Sequence, residues 1–362
     1  MTDRRLVTVR ERARVVTRRL RHHRRRWYGT PALLTVTFLV LGVLPLALDV
    51  PVLGLRLGSL LSVHLLVVAL VWATAAQSWN IVSGFAGQFS FGHAAFFGLG
   101  AYVPLVLVRE FALNPWLGML VGGALAAVYA TGIGALSFRY DVSGSYFALV
   151  TLAFAELLLY VFVNVEALGG ANGYVRPLPG SYGSEFGLLA FQFSERLPYY
   201  YVILAFLAVV TLVAVAIRRS RVGLYLFAIR DDEDAASAVG IPTTRYKLFA
   251  FAVSAFFTAW AGAFWSMYFT SIRPQVVFGL LVNIDILLPA AVGGIGTVLG
   301  PIVGSLGLTA VSELGRQAVE LPSLQDVVYG LLLLAIVLGS PRGVVTWPGR
   351  IADWLDGSDD EE

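Results

Sequence analysis

Between Pro31 and Gly339 the chain is a succession of long apolar runs separated by short polar or glycine-rich joints. The runs are Pro31–Leu48, Ser59–Val82, His93–Val108, Pro115–Phe138, Ser145–Asn164, Tyr199–Ile217, Lys247–Phe269, a Gly-interrupted stretch Asn283–Val311, and Leu324–Gly339. A helix that crosses a bilayer needs about 20 mostly apolar residues. The runs are continuously apolar, without the ten-residue alternation of barrel strands, so helices are expected. Composition agrees: 57% of the residues are apolar and 14% charged, where soluble domains carry roughly 45–50% and about 25%. Such a chain cannot cover a wetted surface. The expected fold class is an all-α polytopic membrane protein with about nine or ten transmembrane helices.

Basic residues in short flanking loops set orientation. Eleven arginines lie between Arg4 and Arg26, and with Asp3 and Glu11 that head carries +9 (11 minus 2). The remainder carries −6 (15 minus 21). Residues 1–30 are therefore expected to be an Arg-rich cytoplasmic segment and 31–340 the transmembrane domain, followed by an acidic tail at 341–362. Counting crossings from a cytoplasmic N-terminus places loop 218–246, bounded or occupied by six basic residues up to Lys247, on the inside. The turn at Arg139 falls there too. Loop 165–198, with two arginines, falls outside. The count beyond Asn283 depends on whether Asn283–Val311 crosses once or as a broken pair. A signal peptide would need a 30-residue basic region and a clear small-x-small site. Nucleic-acid binding would need interleaved aromatics, and only Trp27 and Tyr28 are at hand. The head reads instead as a topology-setting tail that touches anionic lipid.

Glycine gathers inside the apolar runs. Gly84 to Tyr102 holds five glycines with Gln88, Ser90 and His93, and Gly293 to Gly307 holds six with Pro301. Non-helical backbone at membrane depth survives only where protein or a water-filled cavity satisfies it, and glycine permits both such backbone and close helix contact. As a whole, the first segment reads as a broken helix lining a translocation path. Residue by residue, a small-residue packing seam with His93 bonded to a neighbouring helix is the better account. Two interrupted segments in the two halves of a chain point to a transporter path, although the two do not align as a repeat. The path candidates are Gly84, Gly87, Gln88, Ser90, Gly92, His93, Thr151, Glu156, Asp285, Gly293, Gly294, Gly296, Gly300 and Pro301. Glu156, about 16 Å into its run, is either a proton carrier or a helix anchor. Asp285 reads more simply as first-turn capping.

In loop 218–246 an acidic, helix-prone core from Asp231 to Val239 precedes Gly240, a plausible C′ residue, and Thr244, a plausible cap for the next helix. A short charged helix tied at both ends is suited to docking on a cytoplasmic partner and passing on rigid-body motion. Asp234-Ala235-Ala236, three residues, then Gly240 resembles the EAA loop of ABC importer permeases. Four stretches resemble the permease of the branched-chain amino acid importer, LivM type: Asn80–Tyr102, Gly144–Leu157, Ala228–Phe251 and Asp285–Ser305. Gly169–Gly173 fits the same family, and the resemblance covers about residues 70–340.

That resemblance implies a type II-like ABC importer permease fold. It implies a membrane subunit that passes leucine, isoleucine or valine delivered by an extracytoplasmic substrate-binding protein. The implied partners are a sister permease of the LivH kind and two ATPases of the LivG and LivF kind. Arg230, Glu233, Asp234, Ala235, Ala236 and Gly240 would form the ATPase-coupling loop. Related permeases for urea, short amides or other amino acids share much of the pattern. A proton-coupled transporter using Glu156, Asp285 or His93, or a non-transporting membrane anchor, are the other readings. The chain itself holds no Walker A loop, since its one lysine, Lys247, follows Tyr246. Without cysteine, and with four histidines of which two are adjacent in the head, no catalytic or metal site is expected. ATP and Mg would be bound by partner subunits, with no cofactor in this chain.

Overall fold

The computed structural model describes residues 32–47, 62–175, 187–269 and 271–318, with short pieces at 51–52, 55–56, 330 and 343–346. The Arg-rich head, nearly all of the run Leu324–Gly339 and most of the acidic tail lie outside the described residues. The chain divides into two units, Met1–Val50 and Pro51–Glu362. In the first, an apolar helix α1 occupies Ala32–Ala47.

The described membrane runs of the second unit are helical apart from the joint at 294–299. Helix α2 (Val63–Asn80) starts at Ser62, whose hydroxyl accepts from the Leu65 amide at 3.3 Å. It is apolar on every side, as a helix surrounded by protein must be, and it packs against α6, α9, α11 and α12. Helices α3 (His93–Phe111), α4 (Pro115–Arg139) and α9 (Thr243–Tyr268) form a second close-packed group. A Cβ on Gly100 would fall on the Ala259 carbonyl, and one on Gly262 on the Phe97 carbonyl. Glycine at both positions lets the α3 and α9 backbones touch. Helix α5 (Gly144–Asn164) is the least enclosed span, with Tyr146, Leu149, Leu157 and Tyr160 exposed.

Helix α6 (Arg196–Arg219) leads through α7 (Arg221–Asp231) and α8 (Glu233–Ala238) to α9. A short α10 (Pro274–Val277) precedes α11 (Leu280–Gly293), and α12 covers Gly300–Ala318. The stretch Asn283–Val311 is therefore not one crossing but a helical hairpin. Its arms meet where a Cβ on Gly293 would overlap the Gly300 carbonyl and one on Gly304 the Pro289 carbonyl. Two-residue antiparallel ladders join β1 (Pro51–Val52) to β2 (Leu55–Arg56) and β3 (Tyr174–Val175) to β4 (Ser271–Ile272). Gly173, at φ +73°, lies against the Ile272 carbonyl, which brings the Gly169–Gly173 turns to the entry of α10.

Candidate functional site

Helix α2 does not end cleanly. Its last turn widens into a π-turn at Ile81–Phe85, the chain reverses at Gly87 (φ +70°), and a non-helical stretch runs to His93. Side chains from elsewhere take up its backbone groups, as buried polar backbone requires. Trp79 Nε1 donates to the Ser90 carbonyl at 2.8 Å, and the Ser83 hydroxyl to the Gln88 carbonyl at 2.9 Å. The Phe91 amide donates to Thr151 Oγ1 of α5 at 3.0 Å, and the Ala94 amide to Asn283 Oδ1 of α11 at 2.8 Å. Gly92 is needed here because a Cβ would press on Thr151 at 3.0 Å.

His93 is fully buried between Ser90 Oγ at 3.2 Å and Ser254 Oγ of α9 at 2.7 Å. The Ser254 hydroxyl gives its one proton to the Ser78 carbonyl at 2.7 Å. A neutral His93 then donates through Nε2 and accepts at Nδ1 from Ser90. One imidazole thus ties α2, α3 and α9 together, which is the packing role expected of it singly. Gly98 and Gly100 lie inside α3 and serve contact with neighbours, so the break ends at Gly92 and does not run on to Tyr102.

The second break is a tight turn between α11 and α12. Gly294 (φ +128°) and Gly296 (φ +79°) adopt backbone that side chains resist. Thr297 Oγ1 donates to the Gly294 carbonyl at 2.7 Å and accepts from the Gly300 amide at 3.0 Å. Pro301 occupies the first turn of α12, where a missing N–H costs nothing, so it starts a helix and does not kink one. The two breaks meet through Asn80. Its Oδ1 accepts from the Gly296 amide at 2.7 Å, and its Nδ2 donates to the Thr297 carbonyl at 2.8 Å.

The loop after α6 holds two helices where one was expected. Ser220 caps α7 through the Gly223 amide, and Asp232 caps α8 through the Ala235 amide at 2.9 Å. Helix α8 closes as a Schellman motif, with Gly240 N bonded to Ser237 O and Ile241 N to Ala236 O. Gly240, at φ +87°, is its C′ residue. Asp234, Ala235, Ser237, Ala238 and Val239 face outward, and Ala236 is buried. Glu233 turns inward to the ammonium of Lys247, which lies 4.3 Å from the centre of the Phe138 ring. Helix α9 starts at Thr243 behind Pro242 with no side-chain cap, so Thr244 does not cap it. Arg230 reaches out of the loop with one side of its guanidinium: its Nη1 donates to the Gly84 carbonyl at 3.0 Å.

Gly84, Gly87 and Gly296 thus come together at Arg230, while Gln88, Ser90, Gly92, His93 and Thr151 belong to the first break and Gly293, Gly294, Gly300 and Pro301 to the second. Glu156 and Asp285 bond to neither break. Glu156 is half-buried on α5. Asp285 sits in the second turn of α11, not the first, and borders a cavity of about 160 Å³ with Trp72, Ser305, Thr309 and Ser312. Asn80, Ser254 and Asn283 were not anticipated as site residues, although polar side chains within membrane runs are themselves a signal. A larger cavity of about 880 Å³ opens where Phe89 and Phe91 of the first break meet α5 and α11. Ser145 is its one side-chain hydroxyl; Leu149, Leu152, Ile284 and Leu287 make most of its wall.

Residues 61–337, which take in both breaks and α8, match the family described as branched-chain amino acid transport system / permease component. The chain belongs to that family. The high-affinity branched-chain amino acid permease protein LivM of Escherichia coli is 26% identical over 304 residues, covering 78% of this chain and 70% of that protein. LivH of Salmonella typhimurium is 25% identical over 289 residues, 76% and 92% of the two chains. BraD of Pseudomonas aeruginosa is 23% identical over 296 residues, 78% and 94%. As a permease of this family the chain is a multi-pass membrane transport component, and seven described helical segments, with α2 taken to Phe85 and α10 joined to α11, are long and apolar enough to cross a bilayer.

Proposed function

We propose that this permease forms half of the channel of an ATP-driven importer of branched-chain amino acids. The observation that carries the reading is the family match across 61–337, which includes both backbone breaks and the capped, outward-facing α8. Relatives of both the LivM and the LivH kind support pairing with a sister permease. In this reading the Arg-rich N-terminus and α8 are cytoplasmic, and loop 165–198 meets an extracytoplasmic binding protein. The exposed face of α8 docks on one of two ATPase subunits, which bind ATP and Mg. The apolar cavity beside Phe89 and Phe91 lies on the path. Its scarcity of polar groups suits a branched aliphatic side chain, and it leaves selection of the amino acid to the binding protein.

The test is leucine uptake with the assembled partners, ATP maintained and a protonophore present. Uptake should persist, and its collapse would point to proton coupling instead. The paired change Asp234→Lys and Gly240→Asp should abolish ATPase co-purification while leaving membrane insertion intact. If the ATPase still co-purifies and uptake continues, α8 is not the docking element.

A further inference from the structure

We propose that Arg230 is a positioning residue that couples the docking helix to both backbone breaks. Its guanidinium holds the breaks together until movement of α8 turns it away. The proposal rests on the reading that α8 meets an ATPase.

Arg230 lies in the last turn of α7, and its fork is divided. Nη1 donates to the Gly84 carbonyl of the first break at 3.0 Å. Nε and Nη2 point the other way, to Asp231 Oδ1 at 3.3 and 3.2 Å. Asp231 is largely exposed and directly precedes Asp232, the residue that caps α8. One planar group therefore has one edge in the bundle and the other on the outward-facing loop. The Phe227 ring, with its centroid 5.0 Å from the guanidinium carbon, braces it.

Each break meets this side chain through a glycine with positive φ. A Cβ on Gly87 would stand 2.7 Å from Arg230 Cγ, and one on Gly296 would stand 2.9 Å from Nη1. Gly87 and Gly296 are 209 positions apart (296 minus 87). Their positive φ already favours glycine, and both also approach the same arginine. The Gly84 carbonyl that receives Nη1 also lies 3.0 Å from the position of that Gly296 Cβ, so carbonyl, guanidinium and turn form one contact. Because a guanidinium is a rigid fork, a rotation that follows Asp231 also turns Nη1 away from the Gly84 carbonyl. A partner that displaces α8 and draws Asp231 and the guanidinium with it therefore acts on both breaks at once. A lysine, with a compact ammonium on a flexible stem, can reach one side of this arrangement but does not transmit the rotation.

The experiment compares wild type, Arg230→Ala and Arg230→Lys, each assembled with its partners in proteoliposomes. ATPase co-purification, ATP hydrolysis and leucine uptake are measured together. In Arg230→Ala the ATPase should remain bound and active while uptake per ATP falls about tenfold, within the 5–150-fold range of ordinary coupling energies. If Arg230→Ala does not accumulate as folded protein, Arg230→Lys supplies the same ratio and should lower it about threefold or more. An unchanged ratio in whichever variant folds overturns the proposal.

A second readout uses the absence of native cysteine. The thiol introduced by Ala86→Cys, at a buried position of the first break, should change its maleimide reactivity when nucleotide is trapped. Adding Arg230→Ala should remove that dependence. Nucleotide dependence that survives without the arginine overturns the coupling role. The Asp234→Lys, Gly240→Asp pair separates the two levels. If that pair keeps its ATPase, the docking reading fails. If it loses the ATPase while Arg230→Ala transports normally, only the role of Arg230 fails.

Discussion

Where α2 gives way to α3, the stretch from Ser83 to Ala94 is held by side chains of α5, α7, α9 and α11, whereas the turn between α11 and α12 closes on itself through Thr297. Thr151 of α5, Ser254 of α9 (through His93) and Asn283 of α11 all reach into the first break. The second break receives the side-chain amide of Asn80, and Gly343 also lies against Gly294. The first cannot shift unless much of the bundle shifts with it. The second can travel with the α11–α12 hairpin only if that hairpin slides on α2, against which both its arms pack. Two segments of similar composition thus differ in what they can do mechanically.

The largest expected effect attacks the hairpin. In Gly293→Ala the new methyl would overlap the Gly300 carbonyl, and backbone cannot give way as a side-chain tip can. A destabilisation of about 3 kcal/mol or more is expected, seen as loss of the monodisperse peak in gel filtration of detergent extracts. Gly307→Ala, on the other arm of the hairpin with open space around it, is the control and should behave as wild type. Equal damage from both would mean that the hairpin tolerates no added bulk anywhere, and the close register at Gly293 would explain nothing.

Next in size is Asn80→Ala. It strips the Gly296 amide and the Thr297 carbonyl of their partners but removes none of the bonds that hold 88–94. Leaving a buried donor unpaired costs about 2 kcal/mol. Hydrogen exchange should rise at 294–299 well before it rises at 88–94. A parallel rise in both would erase the distinction between a clamped and a travelling break.

The parts of this architecture that depend on near neighbours in the chain were readable in advance. Continuous apolar runs specify helices in lipid whatever they pack against, and Gly240 closes α8 through bonds that span five residues. The glycine clusters marked both breaks, but composition did not separate Gly100, pressed on the backbone of α9, from Gly87, which turns the chain. That separation depends on which backbone lies opposite. The same holds for Asn80, Ser254, Asn283 and Arg230, whose partners lie 146 to 217 residues away. Asp234 and Arg230 look alike as members of one charged loop, yet one faces outward and the other reaches into the bundle. Helix α7 went unread because its apolar residues lie between the arginines and acids of the same loop.

The smallest effect is the sharpest test of the first break's dependence on foreign side chains. Thr151 Oγ1 accepts from the Phe91 amide while donating to the Ala148 carbonyl of its own helix. Thr151→Val keeps the shape and removes the acceptor, so a loss of about 1 kcal/mol in stability is expected. Thr151→Ser keeps the hydroxyl and should recover most of it. Phe91 lines the 880 Å³ cavity, so the valine variant should also loosen that wall, raising the KM for uptake more than it lowers the maximal rate. If serine and valine behave alike, the bond from α5 contributes nothing, and the first break is held no more firmly from outside than the second.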